Sequence, residues 1–145
     1  MVIQDDSVRT RVQELIVARE KQGFHRACGF AVRSYGHGKA RVEMEVTEEV
    51  TNWNGTLHGG AIATLVDYAG TVAIMSADLE GRSGVSTDLN VTFFAPAVQG
   101  GQVFAEASVL KVGKTLAYVT VDVRSSDGST LLAQGRMTKY QPVKP

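Results

Sequence analysis

The chain has 145 residues, the size of one domain with a proper hydrophobic core. Lys plus Arg equals Asp plus Glu at 15 each, with no long block of one sign, so there is no global basic field to attract nucleic acid. The single cysteine, Cys28, excludes an internal disulfide framework, reads as a small core residue and fits an intracellular setting, cytoplasm or an organelle matrix such as the mitochondrion.

The first six residues are acidic and lack the basic-then-apolar order of a secretory signal. Val8, Val12, Leu15 and Ile16 then recur at helical spacing, predicting an amphipathic helix over residues 6–22 capped by Asp6 or Ser7 and ended by Gly23. Residues 28–35 read as a short strand. Gly36-His37-Gly38 is a turn, and Ala40, Val42, Met44 and Val46 alternate with polar residues as a half-buried strand, so the two form a hairpin.

A loop from Asn52 leads through Gly59-Gly60 into an apolar, proline-free run ending near Ala77, a helix from about His58. Gly59, Gly60, Ala61, Ala63, Ala69, Gly70 and Ala73 make it slim, which suits a buried helix with other backbone packed close. Asp67 interrupts the apolar run, so the segment reads as a core helix rather than a membrane span. A lone carboxylate there is costly to bury without partners, which makes Asp67 the first candidate for chemistry.

After a loop over 80–84, Val85, Thr87, Leu89, Val91 and Phe93 alternate with Ser86, Asp88, Asn90 and Thr92. That alternation puts Ser86 on the face opposite Val85 and Leu89. Residues 102–112, 115–124 and 130–140 are three further strands whose short links make them antiparallel neighbours. The sum is a single α+β domain over residues 1–145, a curved antiparallel sheet of about six strands wrapped around the long helix. His25, His37 and His58 have no metal-ligand spacing, so no metal is expected. A Ser86-His58-Asp67 triad lacks a Gly-x-Ser-x-Gly elbow, and His58 at a helix start suits a structural role.

Asn52, Gly55-Thr-Leu-His-Gly-Gly60, Ala63-Thr-Leu-Val-Asp67 and Gly84-Val-Ser-Thr-Asp-Leu-Asn90 stand in order along the chain. With Gly113-Lys-Thr-Leu-Ala-Tyr118 and Ala133-Gln-Gly-Arg-Met-Thr-Lys139, they resemble the hotdog-fold acyl-CoA thioesterases of the small branch related to the phenylacetate-pathway enzymes. The resemblance runs from about residue 28 to the end. It implies hydrolysis of an acyl-CoA thioester without a separate cofactor. The amide of Gly59 would polarise the thioester carbonyl, Asp67 would act as nucleophile or general base, and Asn52 and Ser86 would place the water. An aspartate where aromatic-acyl relatives carry glutamate leans towards fatty-acyl substrates of medium or long chain. On the substrate side the resemblance brings in His58 and Gly60. Trp53 and Asn54 would line an acyl channel, unless Trp53 only anchors the loop. Lys111, Lys114, Arg136 and Lys139 are cations that could meet coenzyme A phosphates.

Gly59 opens the predicted helix, where free N–H groups and the positive dipole end face an incoming carbonyl. Asp67 lies roughly 12 Å further along the axis, at about 1.5 Å per residue, too far to reach a carbonyl held at Gly59 of its own chain. Two such helices antiparallel across a two-fold axis would bring Asp67 and Ser86 of one beside Asn52 and Gly59 of the other, which predicts a shared site and an obligate homodimer. Exposed strand edges extend the expectation to a homotetramer. A non-catalytic acyl-CoA binder on the same scaffold would not need all four residues. A hotdog dehydratase would need a histidine after Asp67, and none follows.

Overall fold

A computed structural model describes residues 4–143. Helix α1 spans Asp6–Glu20, and its N-cap is Asp5, one residue earlier than expected, whose carboxylate accepts from the Val8 N–H at 3.0 Å. Val8, Val12 and Ile16, four apart, form its buried stripe. The chain does not go straight into a strand. Gly23–Cys28 forms a short helix α2, closed by Gly29 in the left-handed conformation that glycine adopts freely, φ 68°. Strand β1, Ala31–Gly36, therefore begins later than the sequence pattern suggested and pairs in a hairpin with β2, Lys39–Glu45.

Helix α3, Gly59–Ala77, is the axis of the molecule. It is long and apolar enough to cross a membrane by composition, but 13 of its 19 residues are buried under the sheet, as a core helix would be. Strands β3 (Val85–Phe93), β4 (Gln102–Val112), β5 (Leu116–Ser125) and β6 (Leu131–Tyr140) follow, and all pairings are antiparallel. The sheet order is β1-β2-β4-β5-β6-β3, with β1 and β3 at the edges.

Inward side chains Val42, Met44, Ala105, Ala107, Val119, Val121, Ala133 and Met137 meet Leu65, Val66, Ala69, Val72 and Ala73 of α3 in one core. Each large apolar side chain buried there contributes about 2 kcal/mol, less for alanine. Small residues set the spacing. A Cβ on Gly70 would lie 2.7 Å from Met137 Cε and 2.9 Å from Val119 Cγ1, and one on Gly135 would collide with Val66 Cγ1. Helix and sheet approach this closely only because glycine stands at both contacts.

Strand β3 departs from simple alternation. Its pairing with β6 slips between Ser86 and Asp88, so Thr87 is an extra residue in a bulge. Ser86 faces Lys139, and Leu89 faces Met137; cross-strand partners share a face, and Lys139 and Met137 both point inward. Ser86 and Leu89 thus share the inner face, correcting the expectation that they oppose each other. Beyond the edge, β3 is left open. Val85, Leu89 and Phe93 are 63%, 40% and 53% exposed, and Phe94 is 55% exposed.

Candidate active site

The N-terminus of α3 is built by the loop before it. Asn52 Oδ1 accepts from the backbone N–H groups of Asn54 and Thr56 at 3.0 and 3.2 Å, and its Nδ2 donates to Thr56 Oγ1 at 2.9 Å. The Asn52 side chain folds its own loop, as asparagine does in turns, and makes no hydrogen bond to Asp67 or Ser86. His58 is the N-cap of α3, its Nδ1 accepting from the Gly60 N–H at 2.8 Å. A Cβ on Gly60 would lie 3.0 Å from that ring nitrogen, so glycine there makes room for the cap.

The capping leaves one donor over. The Ala61 and Ile62 N–H groups both donate to the His58 carbonyl and Gly60 is held by the imidazole, while the Gly59 N–H has no acceptor among the described residues. A free N–H at the positive end of a 19-residue helix is suited to a developing oxyanion. The Phe93 ring of β3 packs beside it, 3.5 Å from where a Gly59 Cβ would stand.

Two turns on, Asp67 is half-buried and accepts from Ser86 Oγ at 2.5 Å. The bulge at Thr87 lets Ser86 turn inward to meet it, and Ser86 Oγ also lies 3.4 Å from Met137 Sδ. The two halves of the candidate set thus stand apart, Asp67 with Ser86 at one level of the helix and Gly59 with the Asn52 loop at its start. No hydrogen bond joins them within one chain.

Around Asp67 the fold gathers residues that the sequence pattern did not single out. Thr71, one turn on, donates from Oγ1 to the Asp67 carbonyl at 2.7 Å. The ring of Tyr68 stacks on His25 of α2 with centroids 4.5 Å apart and on Phe30 at 5.5 Å. Burial pushes His25 below its ordinary value, Arg19 adds to that, and Asp67 opposes it. Burial drives the Tyr68 phenol upward. Tyr68 follows Asp67 directly in sequence, yet only the three-dimensional stack reveals its neighbours.

The expected phosphate-binding cations divide. Lys111, Lys114 and Arg136 are exposed. Arg136 lines an open cavity of about 490 Å³ with Asp88, Asn90 and Tyr118, on the outer face of the sheet. Lys139 is corrected: it is 5% exposed and faces inward, its Nζ donating to Thr71 Oγ1 at 2.5 Å, because alternation along β6 puts it on the face opposite Arg136. The Trp53 ring is fully exposed on the single chain. Cys28 is buried and free, as expected of a core residue. Among the described residues no cluster of His, Cys, Asp or Glu could hold a metal ion.

The comparisons with known proteins agree with this architecture. The family model described as the thioesterase superfamily matches residues 54–132, more than half of the chain. Human acyl-coenzyme A thioesterase 13 is 43% identical over 136 residues, covering 92% of this chain and 96% of that protein. The crystal structure of zebra fish thioesterase superfamily member 2 superposes with a TM-score of 0.82 at 40% identity, over 97% of this chain and all of that one. The PaaI protein of the phenylacetic acid degradation operon of E. coli superposes at 0.81 with 23% identity, over 94% of this chain and 96% of that one, a likeness of fold.

Proposed function

This chain belongs to the thioesterase superfamily and has its hotdog fold, and from that premise we propose that it hydrolyses acyl-CoA thioesters to a free acid and coenzyme A, with fatty-acyl chains of medium or long length preferred. The observation that carries the reading is the Ser86–Asp67 hydrogen bond at 2.5 Å, an oriented carboxylate on an otherwise uncharged helix. Thioester hydrolysis needs an oxyanion donor and a group that delivers oxygen to the carbonyl carbon. The free Gly59 N–H serves the first need. Asp67 serves the second, by direct attack or by taking a proton from water, with Ser86 setting its orientation. Asn52 holds the loop that aims the Gly59 amide. Lys111, Lys114 and Arg136 are the surface cations open to phosphate.

The site is shared between two protomers. The axial gap of roughly 12 Å between Gly59 and Asp67 is long for one chain to serve one carbonyl with both groups, which supports this arrangement. An open β3 edge carrying exposed Val85, Leu89 and Phe93 supports pairing of two copies along that strand. Phe93 beside Gly59 and Ser86 on Asp67 place β3 against both levels of α3, so a β3-to-β3 contact would bring complementary half-sites together.

Thiol release across acyl-CoA esters from acetyl to palmitoyl, with phenylacetyl and hydroxybenzoyl esters included, tests the reading. Turnover is expected to peak on fatty-acyl esters and to fall at least about a hundredfold in Asp67→Ala. Full turnover by that variant would remove Asp67 from the chemistry. No turnover on any ester with tight binding retained would make the protein a binder. Solvent oxygen-18 followed into protein and product in a single turnover separates attack by the carboxylate from attack by activated water.

A further inference from the structure

Lys139 is the one lysine that the fold buries among the described residues. A buried ammonium is costly unless a partner compensates it, and a sheet position facing a core helix would ordinarily hold an apolar side chain. The compensating groups all belong to the Asp67 level of α3. Lys139 Nζ donates to Thr71 Oγ1 at 2.5 Å, and Thr71 Oγ1 donates to the Asp67 carbonyl at 2.7 Å. Lys139 is also the cross-strand partner of Ser86, whose hydroxyl holds the Asp67 carboxylate. Asp67 is thus approached by Ser86 on its carboxylate and by a buried cation one helical turn away.

We propose that Lys139 is a positioning residue for thioester hydrolysis: its ammonium balances the Asp67 charge and, through Thr71, fixes the helical turn that carries the carboxylate. This rests on the reading that Asp67 drives the reaction. The charged and titratable groups facing Lys139 are Asp67 on α3, Arg19 on α1 and His25 on α2. Burial lowers Lys139 from the ordinary lysine value of 10.5, Asp67 pulls it back, and Arg19 lowers it further. As pH rises, Lys139 therefore loses its charge earlier than an ordinary lysine would. His25 is shifted down and Tyr68 up, so neither titrates in that alkaline window.

The test is kcat and KM for the full-length protein on its best acyl-CoA ester, as a function of pH. The variants are Lys139→Met, Lys139→Arg, Thr71→Val and Asp67→Asn. Lys139→Met should lower kcat by on the order of 10- to 100-fold with KM little changed, because the reacting group is mispositioned rather than the substrate lost. Wild-type kcat should decline on the alkaline side below the lysine range. Lys139→Arg should recover kcat and abolish that decline, since a guanidinium keeps its charge. Thr71→Val, close to isosteric, should lower kcat and move the decline to lower pH. If Lys139→Met does not fold, Thr71→Val decides. Wild-type kcat and a wild-type alkaline profile in folded Lys139→Met or Thr71→Val would overturn the proposal. Full activity in Asp67→Asn would instead overturn the underlying reading, whereas a dead Asp67→Asn beside an unimpaired Lys139→Met sinks the lysine alone.

Discussion

Gly59 is where one backbone atom can be tested by itself. His58 has φ −63° and ψ 135°, the extended conformation that a following proline demands, and Gly59 is the first helical residue, where proline is well tolerated. Gly59→Pro therefore deletes the free N–H without breaking the helix. Gly59→Ala keeps the N–H and adds a Cβ only 3.5 Å from the Phe93 ring, an ordinary contact. Loss of one oxyanion donor costs about 10²–10³ in kcat, so Gly59→Pro should fall by that amount while Gly59→Ala stays near wild type in a stopped-flow thiol assay. Equal losses in both would point to bulk rather than to the hydrogen bond. The resemblance singled this residue out, and its place at a helix start supplied the mechanism. The sequence hid Lys139, because a lysine among strand residues reads as solvated until pairing fixes which face it occupies. It misled at Ser86 too: a bulge leaves no mark in an alternating pattern, and the extra Thr87 turns the hydroxyl from the wrong face to the right one.

At the scale of elements, the end of α3 is fastened by a buried ion pair. Asp78, the C-cap, accepts from Arg82 Nη2 at 2.7 Å and from the backbone N–H groups of Glu80 and Arg82 at 3.2 and 2.8 Å. The side chains are 3% and 17% exposed. Burial raises the Asp78 carboxyl, but the Arg82 hydrogen bonds outweigh it and hold the group below its ordinary 3.8. A depressed native value means that the pair stabilises above the unfolded value and that this is lost as pH falls through the native one. Arg82→Met leaves a carboxylate buried without its cation and should cost about 3 kcal/mol or more in urea unfolding at neutral pH. The difference from wild type should shrink at acid pH, and a pH-independent difference would assign the loss to packing alone. Neither half of this pair stood out in the sequence, since Asp78 and Arg82 sit among loop residues. The long elements were legible from period and length: α3 from its apolar run, and β4, β5 and β6 from short turns between alternating strands. The short helix α2 was not, because six residues give too few turns for a period to register.

For the whole molecule, the proposed shared site makes a prediction that no single-chain site could. In a dimer of Asp67→Ala with Gly59→Pro, the Gly59 of the first protomer meets the intact Asp67 of the second, and that site is complete. The other site has lost both groups. Each variant alone should be nearly inactive, because every one of its sites lacks one group. Unfolded together and refolded at equal concentration, the two chains form mixed dimers half of the time, each with one working site of two, so about a quarter of wild-type activity should return. If both groups act within one protomer, mixing restores nothing, because every chain carries a lesion. Recovery should also depend on exchange through β3. Asp67→Ala carrying Leu89→Asp as well, refolded with Gly59→Pro, should recover no activity, since a carboxylate on the exposed edge strand disfavours its pairing with a second copy. Trp53 and Phe93 are exposed apolar rings on the single chain, and the proposed pairing predicts that a second chain covers them.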